Sequence, residues 1–358
     1  MALYCVYLKD FPRQTLSGVR PAAAGCFHSV EPALRAFAQG SKLHRIKAQA
    51  SLRTPNVAPH EMMFSRYNLL AVVLTLAAVS FALAGDTGAF KSVVWKPAQL
   101  QSGSACLFTV EFAGAPSALH GKWMDRDVAF FQGGDGPVWY GLAGVDVEAK
   151  PGEYDLTLEA MLPDGRILRS VQPIRVSPSP YRTVRIRVPD KFVQPDPETL
   201  RRVEAEKEIK KQAFAHQAPA PEWSGSFVAP LKSTLSETFG TRRTFNGQLA
   251  SIHRGLDYHA KTGTPVHAAN AGEVVLAREL FYEGNCVVID HGQHFMTLYM
   301  HLSKIDVAEG ERVKKGQQIG LSGSTGRATG PHLHLGVRWE GAYLNPASLM
   351  RLTLPRWK

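Results

Sequence analysis

Cysteine is scarce in this chain, four among 358 residues, and the two that follow residue 84, Cys106 and Cys286, stand far apart. An exported protein could oxidise them, but they fall in different predicted domains, so two separate buried thiols are the expectation and not a bridge. Cys286 is flanked by Val287, Val288 and Ile289, where a small buried hydrophobe fits. Long apolar runs are also lacking: the run from Leu69 to Ala84 holds about fifteen residues, short of the roughly 20 that a membrane-spanning helix needs. There is no convincing internal repeat and no nucleic-acid motif. The formal net charge is +10, but roughly half or more of it lies in the first 84 residues. The remainder is mildly basic, enough for weak attraction to anionic polymers and no argument for nucleic acid. With 44% hydrophobic residues, the chain beyond residue 84 is ample for two compact domains.

The front of the chain reads as an address. Over 62–84 a basic start at Arg66, the apolar run and Ala82-Leu83-Ala84 make a secretory signal peptide. Gly85-Asp86 follows instead of a basic stop-transfer segment or a cysteine, so neither stable membrane insertion nor a lipid anchor is expected. Export to the periplasm, cell envelope or medium is implied. Residues 1–61 are rich in Arg, Lys and Ala, poor in acids and aperiodic. The expectation is a misassigned upstream extension, or disorder, with translation starting at Met62 or Met63. An organellar transit peptide also suits that composition.

Residues 86–190 carry short alternating runs, such as Cys106–Phe112, Tyr154–Ala160 and Val184–Val188, broken by Gly, Pro and Asp turns. An immunoglobulin-like β-sandwich is the natural reading. Trp123, Phe130, Phe131, Trp139 and Tyr140 suit its core better than a sugar-stacking platform. Pro195-Asp-Pro opens a charged stretch with Leu200, Val203, Ile209 and Phe214 at rough helical intervals, and Ala218-Pro-Ala-Pro221 closes it. A linker helix within 195–222 follows, its Lys and Glu read as a solvated face.

The last hundred residues hold the chemistry. His332 and His334 are two apart in an apolar run, so in a strand both imidazoles point to one face. His253 and Asp257 are four apart, but Gly255 between them argues for extended or turned backbone over a helix. His301 follows Tyr299-Met300. A catalytic zinc takes three ligands of these types and keeps a position for water. His259, His267, His291 and His294 read as structural, and Asp290-His-Gly292 as a turn.

The elements His253-x-Gly255-x-Asp257, Tyr299-x-His301-Leu302 and Gly326-Arg-Ala-Thr-Gly-Pro-His332-Leu-His334, in that order, resemble the lysostaphin/LytM-type zinc metallopeptidases, the M23 family. Gly263-Thr-Pro-Val266, Ala271-Gly-Glu-Val274, Gly284-Asn-Cys-Val-Val-Ile-Asp-His-Gly292 and Val313-Lys-Lys-Gly-Gln-Gln-Ile-Gly320 resemble its connecting segments, and the likeness covers roughly residues 226–350. The resemblance implies a mainly β protein whose antiparallel-sheet peptidase domain spans 223–352. It implies Zn2+ held by His253, Asp257 and His334, with His301 and His332 as catalytic residues, His332 as base and His301 as stabilising donor or the reverse. It also implies an endopeptidase acting on peptidoglycan cross-bridges through a metal-activated water. The alternative is a non-catalytic LytM-type wall-binding protein or amidase activator. Biotinyl or lipoyl carrier domains share similar hairpins, but the lysine turn they need is absent.

Overall fold

Alternating sequence becomes strand from Phe90 onward. The computed structural model describes residues 90–134, 136–186, 196–218, 220–245, 248–328 and 330–356. The expected signal peptide at 62–84 and the extension at 1–61 lie outside them. The described residues fall in one compact unit and are mainly β. Among them, no helix is long and apolar enough to cross a membrane.

Nine strands come first: β1 (Phe90–Lys96), β2 (Leu100–Gln101), β3 (Ala105–Phe112), β4 (Ala118–Trp123), β5 (Arg126–Gln132), β6 (Val138–Gly144), β7 (Gly152–Met161), β8 (Ile167–Ser177) and β9 (Thr183–Ile186). Eight form a single hydrogen-bonded path, β1-β3-β6-β5-β4-β7-β8-β2. Along β7, Leu156, Leu158 and Ala160 are buried while the residues between them are exposed, the period-two pattern of a half-buried strand. Trp123 and Trp139 are buried, and Phe130, Phe131 and Tyr140 pack against the same core, as expected of core residues. The Trp123 indole N–H donates to the Gly144 carbonyl at 3.0 Å. Cys106 and Cys286 are both buried thiols outside any disulfide.

A connecting helix spans Pro197–Phe214, capped by the Asp196 carboxylate, which accepts from the amides of Glu198 and Thr199. Its charged face differs from the solvated one expected. Glu206 is buried together with Val203 and Ala213, and Lys210 is only 12% exposed at its side chain. The helix is docked along a stripe that recurs every three or four residues.

The remaining strands are β10 (Leu235–Glu237), β11 (Arg242–Phe245), β12 (Gln248–Ile252), β13 (Gly255–His259), β14 (Pro265–His267), β15 (Gly272–Leu280), β16 (Gly284–Asp290), β17 (Phe295–Leu302), β18 (Lys304–Ile305), β19 (Arg312–Val313), β20 (Gln318–Leu321), β21 (His332–Trp339) and β22 (Ala342–Leu344). The principal sheet runs β10-β13-β21-β17-β16-β15-β19, with β22 on β21. Val287, Ile289, Tyr299, Leu333 and Leu335 on one face join a cluster that also contains Trp123 and Leu142 of the front sheet. On the other face Cys286, Val288, Met296, Leu298 and Met300 meet Ile209, Ala213 and Phe214 of the connecting helix. Parallel pairing of β9 with β11 ties the front segment to the hairpin that leads into His253.

Asp290-His291-Gly292 is a turn, with Gly292 at φ +82° and its amide donating to Asp290 Oδ1 at 2.8 Å. His291 does more than turn the chain. It is fully buried, donates from Nδ1 to the Ala271 carbonyl at 2.7 Å and accepts at Nε2 from the Thr297 hydroxyl at 2.8 Å. The Tyr299 hydroxyl in turn donates to Thr297 at 3.0 Å and accepts from the Ala269 amide at 2.8 Å, so every donor along this line of bonds has one direction. Burial holds the His291 pKa down to about 4 from 6.5. Between those values the unfolded chain takes up a proton that the folded one refuses. Stability is therefore complete above 6.5 and lost as pH falls toward 4, by about 3 kcal/mol from this group. Urea unfolding measured from pH 7 to pH 4 should show His291→Gln taking up about one proton fewer on unfolding than wild type across that window. Identical pH slopes would contradict the assignment.

Candidate metal centre

The site lies on the helix-covered face of the principal sheet, beyond the helix itself. On β21, His334 pairs with Met300, Gly336 with Leu298 and Arg338 with Met296. Because those partners point at the helix, His334 and His332 share its face, as their two-residue spacing predicts. Arg338 on the same row lies over the Phe214 ring at 4.3 Å. Asp257 pairs with His334 from the neighbouring β13. His253 precedes β13 in extended or turned chain, so the four-residue spacing of His253 and Asp257 is indeed not helical.

Three buried atoms converge. His253 Nε2 lies 3.1 Å from Asp257 Oδ1 and 3.1 Å from His334 Nδ1, and His334 Nδ1 lies 2.8 Å from Asp257 Oδ1. The Nδ1–H of His253 donates to the Thr238 carbonyl at 3.0 Å, which leaves Nε2 as a lone pair. The triangle therefore joins an imidazole lone pair, a carboxylate oxygen and a second imidazole nitrogen. One proton can satisfy only part of it, whereas a cation at its centre satisfies all three, so this donor set fits a metal ion. Burial acts to raise the Asp257 carboxyl, but His253 and His334 outweigh it and hold it well below the usual carboxylate range. Burial lowers His334, keeping its ring neutral and available as a ligand, against the pull of Asp257.

Two more imidazoles flank the triangle. The rings of His301 and His332 are 4.8 Å apart, His301 is 6.2 Å from His334, and His332 Nε2 lies 3.9 Å from Asp257 Oδ1. The Nδ1–H of His301 donates to the Thr325 carbonyl at 3.0 Å and that of His332 to the Gly330 carbonyl at 2.8 Å. Both Nε2 atoms are thereby left as acceptors. Burial, aided by His332 and His334, lowers the His301 pKa to about 3.

His301 reaches this place through a β-bulge. Asn285 faces Leu302 and Val287 faces Tyr299, so β17 carries one residue more than β16 over that stretch. His301 adopts φ +65°, a left-handed conformation that costs a non-glycine residue about 1–2 kcal/mol. The extra residue also inverts the alternation: Met300 faces the helix, yet Leu302 returns to the main core.

All five residues singled out in the sequence are thus brought together. His291 and His267 lie in other hydrogen bonds, His294 pairs with Glu340 at 3.1 Å, and His259 is exposed on its strand. Sequence reasoning misses the carbonyls of Thr238, Thr325 and Gly330 that set the imidazole tautomers, since any residue type supplies a carbonyl. It also sees Gly255 only as a helix breaker. A Cβ there would lie 2.4 Å from His334 Nε2 and 2.4 Å from the Leu335 carbonyl oxygen. Gly255→Ala should displace the His334 ring and weaken metal affinity by about 10- to 100-fold, the range for disturbed ligand support. Zinc titration against a competing chelator measures it, and unchanged affinity would show that the ring has room to move.

Residues 251–346 match the model of Peptidase family M23. Over 125 residues the chain is 48% identical to peptidoglycan DD-endopeptidase ShyA of Vibrio cholerae, a match covering 35% of this chain and 28% of that protein. The chain thus spans less than a third of that relative's length. A crystal structure of a putative M23 peptidase from Pseudomonas aeruginosa superposes with a TM-score of 0.55 at 28% identity, covering 70% of this chain and 95% of that one. The catalytic domain of lysostaphin from Staphylococcus simulans is 32% identical, with 34% of this chain and 93% of that one covered and a TM-score of 0.31. The matched segment, residues 251–346, is a peptidase family M23 segment and frames all five residues of the candidate site.

Proposed function

We propose that the protein is an exported zinc endopeptidase that hydrolyses peptide cross-bridges of bacterial peptidoglycan. The observation that carries this reading is the convergence of His253 Nε2, Asp257 Oδ1 and His334 Nδ1, with His301 and His332 beside them. Two imidazole nitrogens and one carboxylate oxygen suit zinc, and three protein ligands are the number found at catalytic sites. When bound, zinc supplies Lewis acidity that activates water and polarises the scissile carbonyl. The chain's own groups handle the protons. His332 Nε2, an acceptor because Nδ1–H is held by Gly330, takes the proton of the attacking water and hands it to the leaving amine. His301 is the partner that stabilises the oxyanion. To donate from Nε2 the ring needs a proton there, which the second hydrogen of the attacking water can supply and the negative oxyanion would hold against the effect of burial.

The name of ShyA supports the substrate class for this chain. We further propose the division into a signal peptide at 62–84, an immunoglobulin-like domain at 86–190 that positions or shields the peptidase, a helical connector at 195–222 and a peptidase domain at 223–352. The test is incubation of the mature protein with purified peptidoglycan, with and without chelator, and mass analysis of new termini. Release that stops on chelation and returns with zinc is expected, and the termini name the bond. A zinc-loaded protein that releases nothing would overturn the reading in favour of a non-catalytic LytM-type wall-binding protein or amidase activator.

A further inference from the structure

The connecting helix, Pro197–Phe214, lies outside the matched family segment, yet it grips the turn next to His301. Arg202 sits over the Phe281 ring at 5.4 Å, Glu206 Oε2 accepts the Phe281 amide at 2.8 Å, and Lys210 Nζ lies 2.6 Å from Glu283 Oε1. Residues 202, 206 and 210 recur once per helical turn, so one line of side chains meets consecutive points of residues 281–283. The Glu283 carbonyl in turn accepts the His301 amide at 2.8 Å. From the Lys210 ammonium to the His301 backbone the connection passes through a single residue. The helix also packs Ile209, Ala213 and Phe214 into the cluster that holds Met300, the residue before His301.

The ion pair is nearly dry, with Lys210 and Glu283 side chains 12% and 2% exposed. Such a pair is a poor stabiliser, because desolvation offsets its attraction and two apolar side chains of like size serve as well. What it does provide is one fixed distance. His301 needs that, for it stands at φ +65° on a bulge, a conformation that persists only where the surroundings impose it.

We propose that the connecting helix is a strut that sets the position of His301, with Lys210 as a positioning residue acting through Glu283. The strut couples the chain outside the family segment to turnover without touching the metal ligands, a role that rests on the endopeptidase reading.

The test compares wild type, Lys210→Met and the double variant Lys210→Met/Glu283→Met in the full mature chain. Zinc content, thermal midpoint and the kinetics of cleavage of purified cross-linked muropeptides are measured well below each midpoint. Lys210→Met should lower kcat by about 10- to 100-fold, as a displacement of about 1 Å does, with KM and zinc content unchanged. It should also lose stability, because Glu283 is left buried without the Lys210 charge. The double variant removes the buried Glu283 charge as well and should regain stability while kcat stays low. Recovery of kcat together with stability, or wild-type kcat in either variant, would overturn the strut. Should Lys210→Met fail to fold, the kcat of the double variant alone decides between these outcomes. Zinc-loaded wild type that leaves the muropeptides intact would instead remove the endopeptidase reading itself.

Discussion

Replacing His334 with alanine is expected to remove bound zinc and activity together. Its Nδ1 stands 2.8 Å from Asp257 Oδ1 and 3.1 Å from His253 Nε2, so it is one corner of the only triangle of ligand atoms found among the described residues. Groups that merely support a ligand are worth about 10- to 100-fold in metal affinity, so losing the ligand itself should cost more than about 100-fold. Elemental analysis of protein purified without added zinc should find it depleted in His334→Ala, and in His253→Ala and Asp257→Ala as well. The effect should have an electrostatic echo. His253 and His334 hold the Asp257 carboxyl low against its burial, so without His334 that carboxyl should protonate at a higher pH. Full zinc occupancy in His334→Ala would show that the ligand set is wrong.

The same site shows which features can be read from side-chain pattern and which cannot. His332 and His334 are legible because a strand has a period of two and the apolar residues between them fix which face is core. Asp257 is legible because Gly255 weakens a helix and leaves an extended alternative. His301 is legible as a residue type beside a known motif, but its placement is not. A bulge adds one residue to one strand, and alternation in the sequence continues through it unmarked. Only the switch of Leu302 from the helix face to the main core reveals it. The connecting helix is opaque for another reason. Its Lys and Glu side chains look solvated because burial of a charge depends on a partner, and Glu283 lies 73 residues from Lys210. The face that Ile209, Ala213 and Phe214 cover, from Cys286 to Met300, reads as ordinary strand, so nothing local announces that a helix must cover it.

His332→Ala should behave differently from His334→Ala although the two residues are neighbours on one strand face. His332 Nε2 is 3.9 Å from Asp257 Oδ1, outside the converging triangle, and its side chain is 13% exposed against 5% for His334. The variant should therefore keep its zinc. Its kcat should fall by about 10²- to 10⁴-fold, the usual contribution of a positioned acid–base group, with KM little changed because no binding contact is removed. The lost ring leaves space beside His301 and a Gly330 carbonyl without its donor, so added imidazole should restore part of the rate if proton transfer is what was lost. Two results would end this division of labour. Equal zinc loss in the two variants would make His332 a ligand, and wild-type turnover in His332→Ala would pass the base role to His301, whose Nε2 is likewise left as an acceptor by its bond to Thr325.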